Sequence, residues 1–206
     1  MKNIMILGTC RTGKTTFSKL LYRELNNYEI IEVDSIISAL QSTFEGIQIG
    51  FAHDDLKDNK LSKFINTLLE KNKNRLGNEF GYIINSDSIM PEDIINYFDT
   101  SNTLVYFFVN SKLTVEEILE NCRLYDDESA WTKRRTDENL LNHIKKAKEF
   151  ENKIIDQCKK YNIKYIDTSF NREKLFADLL KEIKEKLWYY LSNISCKVYF
   201  NMIYLF

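Results

Sequence analysis

Eight consecutive residues, Gly8-Thr9-Cys10-Arg11-Thr12-Gly13-Lys14-Thr15, place glycine first and sixth, lysine seventh and a hydroxyl eighth. Each fixed position suits a phosphate chain. The two glycines let the backbone turn tightly, so that successive N–H groups converge on anionic oxygens. The helix that follows adds its positive end. Lys14 can reach the β- and γ-phosphates, and the Thr15 hydroxyl can ligate Mg²⁺. The chain has only 6 glycines, so finding two at this spacing by accident is improbable. The pattern predicts a nucleoside triphosphate site, with ATP and Mg²⁺ as the expected pair. Its expected contacts are Gly8, Thr9, Cys10, Arg11, Thr12, Gly13, Lys14, Thr15 and Thr16. Arg11 reads equally as a phosphate contact or a loop-surface cation. Cys10 reads as a small filler, or as a thiol activated beside Lys14.

Two further groupings could act on that anion. Arg123, Lys133, Arg134 and Arg135 flank a polar stretch between two helical patterns. Such a basic lid, about 123–136, can close over transferring phosphates and neutralise developing charge. The other grouping is acidic. Asp34 ends a predicted strand and is placed to accept the proton of an attacking hydroxyl. Its competing role is a helix cap, with Asp34 or Ser35 in that position. Asp87 ends another strand and is expected to hold Mg²⁺ through water, with Asp87 or Ser88 as a cap before Pro91 the alternative.

The elements that must position these groups follow from periodicity. Apolar runs at 2–7, 28–33, 81–85, 103–109 and 164–167 predict strands, and stretches with helical spacing separate them. Phe17, Leu20, Leu21 and Leu25 mark one helix; Leu61, Phe64, Ile65, Leu68 and Leu69 mark another. Pro91, with Glu92 and Asp93, suits a helix N-terminus, and Thr114 with Glu117 forms a capping box. Alternation of this kind predicts a three-layer α/β/α fold around a five-stranded parallel sheet. The segment 41–60 is the expected acceptor flap, with Phe44, Phe51, His53, Asp54 and Asp55 as wall candidates.

Composition bounds the partners. The net charge of -1 gives no global basic character, so nucleic acid is not an expected partner. Four cysteines without CxxC spacing argue against zinc or a disulfide framework and for a reduced, cytoplasmic setting. The apolar run at the N-terminus is too short for a signal peptide. Residues 1–190 are expected to form one domain and 191–206 an aromatic-rich extension. Asn193, Ser195, Lys197 and Asn201 interrupt that extension, so no membrane span is expected.

With the loop and the lid together, the chain resembles the nucleoside-monophosphate kinase group, which includes adenylate kinase, shikimate kinase and chloramphenicol phosphotransferase. The resemblance covers about residues 2–187. It rests on the Gly8–Thr15 loop, on Arg135-Thr136-Asp137-Glu138 opening a long helix, and on the strand-turn Tyr165-Ile166-Asp167-Thr168-Ser169. It implies a P-loop NTPase fold and transfer of the ATP γ-phosphoryl group to a small-molecule or nucleotide acceptor. It also implies that Arg123, Arg134 and Arg135 clamp phosphates and that Thr168, Asn171 and Arg172 lie near the base. The chain lacks the Asp-Gly-Phe-Pro-Arg of adenylate kinases; Ile84-Asn85-Ser86-Asp87-Ser88 stands there, with no arginine for an acceptor phosphate. Guanine-reading switches carry Asn-Lys-x-Asp where this chain has Asn110-Ser111-Lys112-Leu113. A nucleotide-dependent binding protein or weak ATPase without a small acceptor is the alternative reading.

Overall fold

The structure is a computed structural model that describes residues 1–47, 49, 60–77, 79–128 and 130–203, with 190–203 as backbone only. Phe51, His53, Asp54 and Asp55, expected in the acceptor flap, lie outside the described residues.

Alternating apolar side chains along the first strand already dictate two buried faces. Strand β1 (Asn3–Gly8) sends Met5 and Leu7 to one side and Ile4 and Ile6 to the other, all with no exposure. Strands β2 (Tyr28–Glu32), β3 (Gly81–Ser86), β4 (Thr103–Val109) and β5 (Tyr165–Asp167) complete a five-stranded sheet. The order is β2-β3-β1-β4-β5, and every pairing is parallel. Parallel strands need crossovers, and the helices that supply them cover both faces.

Helices α1 (Lys14–Glu24) and α7 (Arg172–Ile203) take the face of Ile4, Ile6, Ile83, Tyr106 and Phe108. The contacts there come from Phe17 and Leu21 of α1 and from Phe176, Leu179, Ile183 and Leu187 of α7. Helices α2 (Val33–Thr43), α3 (Lys60–Leu76), α4 (Pro91–Tyr97) and α6 (Asp137–Tyr161) cover the other face. Helix α5 (Val115–Tyr125) joins α6 through a separate small core of Leu113, Ile118, Cys122, Leu140 and Ile144. That core anchors both ends of the loop 126–136, the expected lid.

Boundaries differ from expectation in two places. Helix α7 continues without a break through 191 to Ile203, so the aromatic segment prolongs a helix whose last core contact among the described side chains is Leu187. Trp188 and Tyr189 beyond it are exposed. None of the described helices is long and apolar enough to cross a membrane. Helix α2 begins one residue before Asp34. This places Asp34 in its first turn, and the residue at the cap position, Glu32, makes no side-chain capping bond. The capping alternative for Asp34 and Ser35 therefore fails. The helix after β3 is likewise capped by neither Asp87 nor Ser88: the Met90 N–H donates to the Asp93 carboxylate at 2.8 Å.

The central position of β1 makes Gly8 irreplaceable. Its φ is 119°, and an added Cβ would collide with the backbone carbonyl of Phe108 on β4. Neither backbone can yield without breaking the β1–β4 ladder, which runs to the pair Gly8–Phe108. Gly8→Ala is expected to cost about 3 kcal/mol or more, a fall in Tm of roughly 6–12 °C in a thermal melt. A melt within 2 °C of the parent would contradict this account.

Candidate functional site

The loop between β1 and α1 carries left-handed backbone at Arg11 (φ 63°) and Gly13 (φ 86°). Such alternation produces a concave set of N–H groups. The first helical bond of α1 runs from the Phe17 N–H to the Gly13 carbonyl at 3.0 Å, so the N–H groups from Gly13 to Thr16 precede the ladder. Thr15 and Thr16 are exposed on this end, whereas Thr9 and Thr12 are buried and build the loop. The Thr12 hydroxyl donates to the Thr9 carbonyl at 2.8 Å, and the Lys14 ammonium donates to the same oxygen at 2.6 Å. Lys14 is thus folded across the loop, and its buried ammonium rests on a main-chain carbonyl.

Burial pushes the Cys10 thiol up to about 11, against the opposing pull of Lys14. The thiolate is scarce at neutral pH, so Cys10 acts as a small filler and the activated-thiol alternative fails. Its sulfur lies 4.0 Å from His143 Nε2, where α6 backs the loop.

The acids of the neighbouring strand ends meet the loop. Asn85, the fifth residue of β3, donates to the Thr15 hydroxyl at 3.0 Å and to Glu32 Oε1 at 2.5 Å. The Asp34 carboxyl lies beside that of Asp87, and the Ser88 hydroxyl donates to Asp87 at 3.1 Å. Asp34 Oδ1 is buried with no hydrogen-bond partner among the described residues. Burial, then the Asp87 charge, pushes Asp34 up to about 7, while Lys14 pulls the other way and Glu32 adds to the rise. Three carboxylates therefore converge beside the lysine and hydroxyl end of the loop. Phe44, at the C-terminal end of α2, is largely exposed.

The lid residues divide by task. Arg123, expected among the phosphate clamps, instead holds the lid loop together. Its guanidinium donates to Asp137 at 2.8 Å, to the Thr132 carbonyl at 2.7 Å and to the Arg135 carbonyl at 2.7 Å. Lys133 donates to the Arg123 carbonyl at 2.5 Å. Arg134 and Arg135 lie on the exposed side of the lid. The Arg135 guanidinium sits 5.1 Å from the Trp131 ring centroid, and Trp131 packs edge-on against His143 at 5.0 Å. Asp126 ties the lid to the phosphate loop: it pairs with Arg11 and accepts from the Thr132 hydroxyl.

The residues expected near a base are also divided. Thr168 is fully buried, and its hydroxyl donates back to the Val109 carbonyl at 3.0 Å, sealing β5 to β4. Arg172 spans two turns, donating to the Thr168 carbonyl at 2.8 Å and the Arg11 carbonyl at 2.9 Å. It braces the phosphate loop against the end of β5. Asn171 is exposed, with a left-handed φ of 54°, and begins α7.

Glu151 had no distinguishing signal in sequence, being one acid in a long amphipathic helix. It is 1% exposed and receives the Asn110 N–H at 2.7 Å, the Thr9 hydroxyl at 3.2 Å and the Lys148 ammonium at 2.6 Å. A single buried carboxylate thus fastens the phosphate loop, the end of β4 and α6 to one another. Asn85 and Asp126 were also silent. A polar residue late in an apolar strand, as Asn85 is, was the one available hint.

No family model and no curated protein matches the chain. Solved structures do. Shikimate kinase from Bacteroides thetaiotaomicron aligns over 91% of this chain and 99% of its own, with a TM-score of 0.50 and 15% identity. An uncharacterized protein from Eubacterium ventriosum aligns over 89% and 99%, with a TM-score of 0.52 and 12% identity. At such identities the likeness establishes the fold alone. It is the fold in which shikimate kinase has been solved, in line with the parallel α/β/α sheet that the strand–helix alternation predicts.

Proposed function

We propose that this chain is an ATP-dependent phosphotransferase that moves the γ-phosphoryl group to a hydroxyl of a small-molecule acceptor. The observation that carries the reading is the convergence of Lys14 and Thr15 with the Asp34–Asp87 pair at the carboxyl ends of β1, β2 and β3. Open parallel sheets bind ligands at that edge.

In this reading the triphosphate lies along Gly8–Thr15. Lys14 leaves the Thr9 carbonyl for the β- and γ-oxygens, and exposed Arg134 and Arg135 approach from the lid. Hard oxygen donors, the Thr15 hydroxyl and the Asp87 carboxylate, suit Mg²⁺ held mainly by phosphates and water, and they stand beside Asp34. Once bound, the ion neutralises charge on the phosphate oxygens. Asp34 accepts the acceptor's hydroxyl proton, and the freed oxygen attacks the γ-phosphorus as ADP departs. A group held near 7 is matched to proton transfer at neutral pH. Without an arginine after β3, nothing among these strand-end residues is set to grip an acceptor phosphate, so a hydroxyl acceptor fits better than AMP.

The test is ADP release from Mg·ATP across a panel of neutral, cationic and anionic hydroxyl compounds. At least one is expected to raise turnover tenfold or more over water. If ATP binds but no compound raises turnover, the phosphotransferase reading fails and the binding-protein alternative takes its place.

A further inference from the structure

Asp126 stands where two ordinary preferences oppose an acid. It follows the last turn of α5 as the capping residue, its N–H donating to the Cys122 carbonyl at 3.3 Å. A helix presents its negative end there, which disfavours a carboxylate. The side chain is also only 2% exposed, and a buried carboxylate is costly unless it is paired. Two contacts offset these costs. The Arg11 guanidinium pairs with one carboxylate oxygen, and the Thr132 hydroxyl donates to the other.

Arg11 is equally committed. Its φ of 63° is left-handed, a conformation uncommon for a long side chain. Arg172 fixes its backbone by donating to its carbonyl at 2.9 Å. Burial, and then the Arg11 charge, lowers the Arg172 guanidinium, so the two cations lie close together and Asp126 supplies a counter-charge. The preceding residue also reaches the lid: the Cys10 sulfur is 4.0 Å from the His143 ring against which Trp131 packs. Two consecutive residues of the phosphate loop are thus joined to the lid, one of them by charge.

We infer that Asp126 is a positioning residue for the proposed phosphoryl transfer: through Arg11 and Thr132 it holds the lid, with Arg134 and Arg135, in register with the phosphate loop. Thr132 is fully buried, and its carbonyl accepts from the Arg123 guanidinium at 2.7 Å and the Arg135 N–H at 3.3 Å. Asp126 therefore acts on the two exposed arginines through one hydroxyl and the backbone beside it. Misplacing such groups by about 1 Å costs up to ~10²-fold in rate. The inference rests on the phosphotransferase reading, and its test separates the two.

The chain has two tryptophans, so Trp188→Phe leaves Trp131, on the lid, as the single reporter. In that background Asp126→Asn, Arg11→Met and the double variant are compared by acrylamide quenching of Trp131. Each single change is expected to raise quenching about twofold, and the double no further. With the acceptor that the panel above identifies, kcat for ADP release is expected to fall about 10–100-fold in either single variant, again with no further loss in the double. Arg11→Lys, which keeps the charge, should stay within threefold of the parent. Calorimetric binding of tripolyphosphate should stay within threefold throughout, because the loop N–H groups and Lys14 hold the phosphates. Additive losses in the double variant, or unchanged quenching or kcat in the singles, overturn the inference. So does tripolyphosphate binding that weakens tenfold in Arg11→Met and tightens in Asp126→Asn, which would make Arg11 a phosphate ligand. If Asp126→Asn fails to fold, Arg11→Met and Arg11→Lys carry the same test at a side chain that is 33% exposed; equal quenching and turnover in those two overturn it. A parent that binds Mg·ATP but turns over no acceptor would instead defeat the phosphotransferase reading, and quenching alone would then decide whether Asp126 holds the lid.

Discussion

Asp34→Asn is expected to lower kcat/KM by ~10²–10⁴-fold, the range for removing a positioned general base, and at the same time to make the protein more stable at pH 8. The second half follows from the electrostatics. Asp34 is held up to about 7 by burial and by the charge of Asp87. A carboxyl whose folded value lies above its unfolded one binds its proton more tightly in the folded state. Its favourable contribution is complete below about pH 4, declines as the pH rises, and is gone above about 7. At pH 8 the folded chain therefore carries an ionised Asp34 against Asp87, and the asparagine relieves this. Allowing for screening of a partly exposed group, the gain is about 1–2 kcal/mol at pH 8, vanishing near pH 4. Parallel denaturant melts at the two pH values measure it. The parent's kcat/KM should also show an acid limb near pH 7 that the variant lacks. A variant destabilised equally at both pH values would mean that Asp34 is a structural hydrogen-bonding group, and its catalytic assignment would fall.

Lys14→Met should have the other large effect. Methionine keeps most of the stem's bulk and removes the ammonium, which in this structure rests on the Thr9 carbonyl. Loss of a preorganised charge aimed at developing phosphate charge costs ~10²–10³-fold in turnover, by analogy with oxyanion donors. Stability should change little, because the lost hydrogen bond and the removed cost of burying a cation oppose each other. Single-turnover ADP formation separates the effect on chemistry from that on binding. Undiminished turnover with weaker ATP binding would show that Lys14 contributes binding alone.

These two residues illustrate how far sequence reaches. Lys14 was legible because its role depends on neighbours within the same eight residues: glycines that turn the chain, a helix that starts at once, a hydroxyl next door. The sheet was legible for a similar reason. Ile4, Met5, Ile6 and Leu7 are apolar without interruption, and only a strand covered on both faces buries all four. Asp34 was legible as a position at a strand end but not as an acid held near neutrality, since Asp87 and Glu32 reach it only when β2 and β3 pair.

Arg123 marks the opposite limit. Four cations near a loop look alike in sequence. Folding spends this one on the Thr132 and Arg135 carbonyls, leaving Arg134 and Arg135 on the exposed side. The partnership of Thr9 with Glu151 spans 142 positions, and no local pattern announces it. The turn from Gly8 to Thr15, the strand–helix alternation and the parallel sheet were thus all legible before folding, because each arises from interactions within a turn or two of chain. Which arginines stay exposed, and which carboxylate is pushed up toward neutrality, depended on the tertiary structure. Those outcomes depend on which distant groups packing brings within hydrogen-bonding distance, and on how much water it leaves around them.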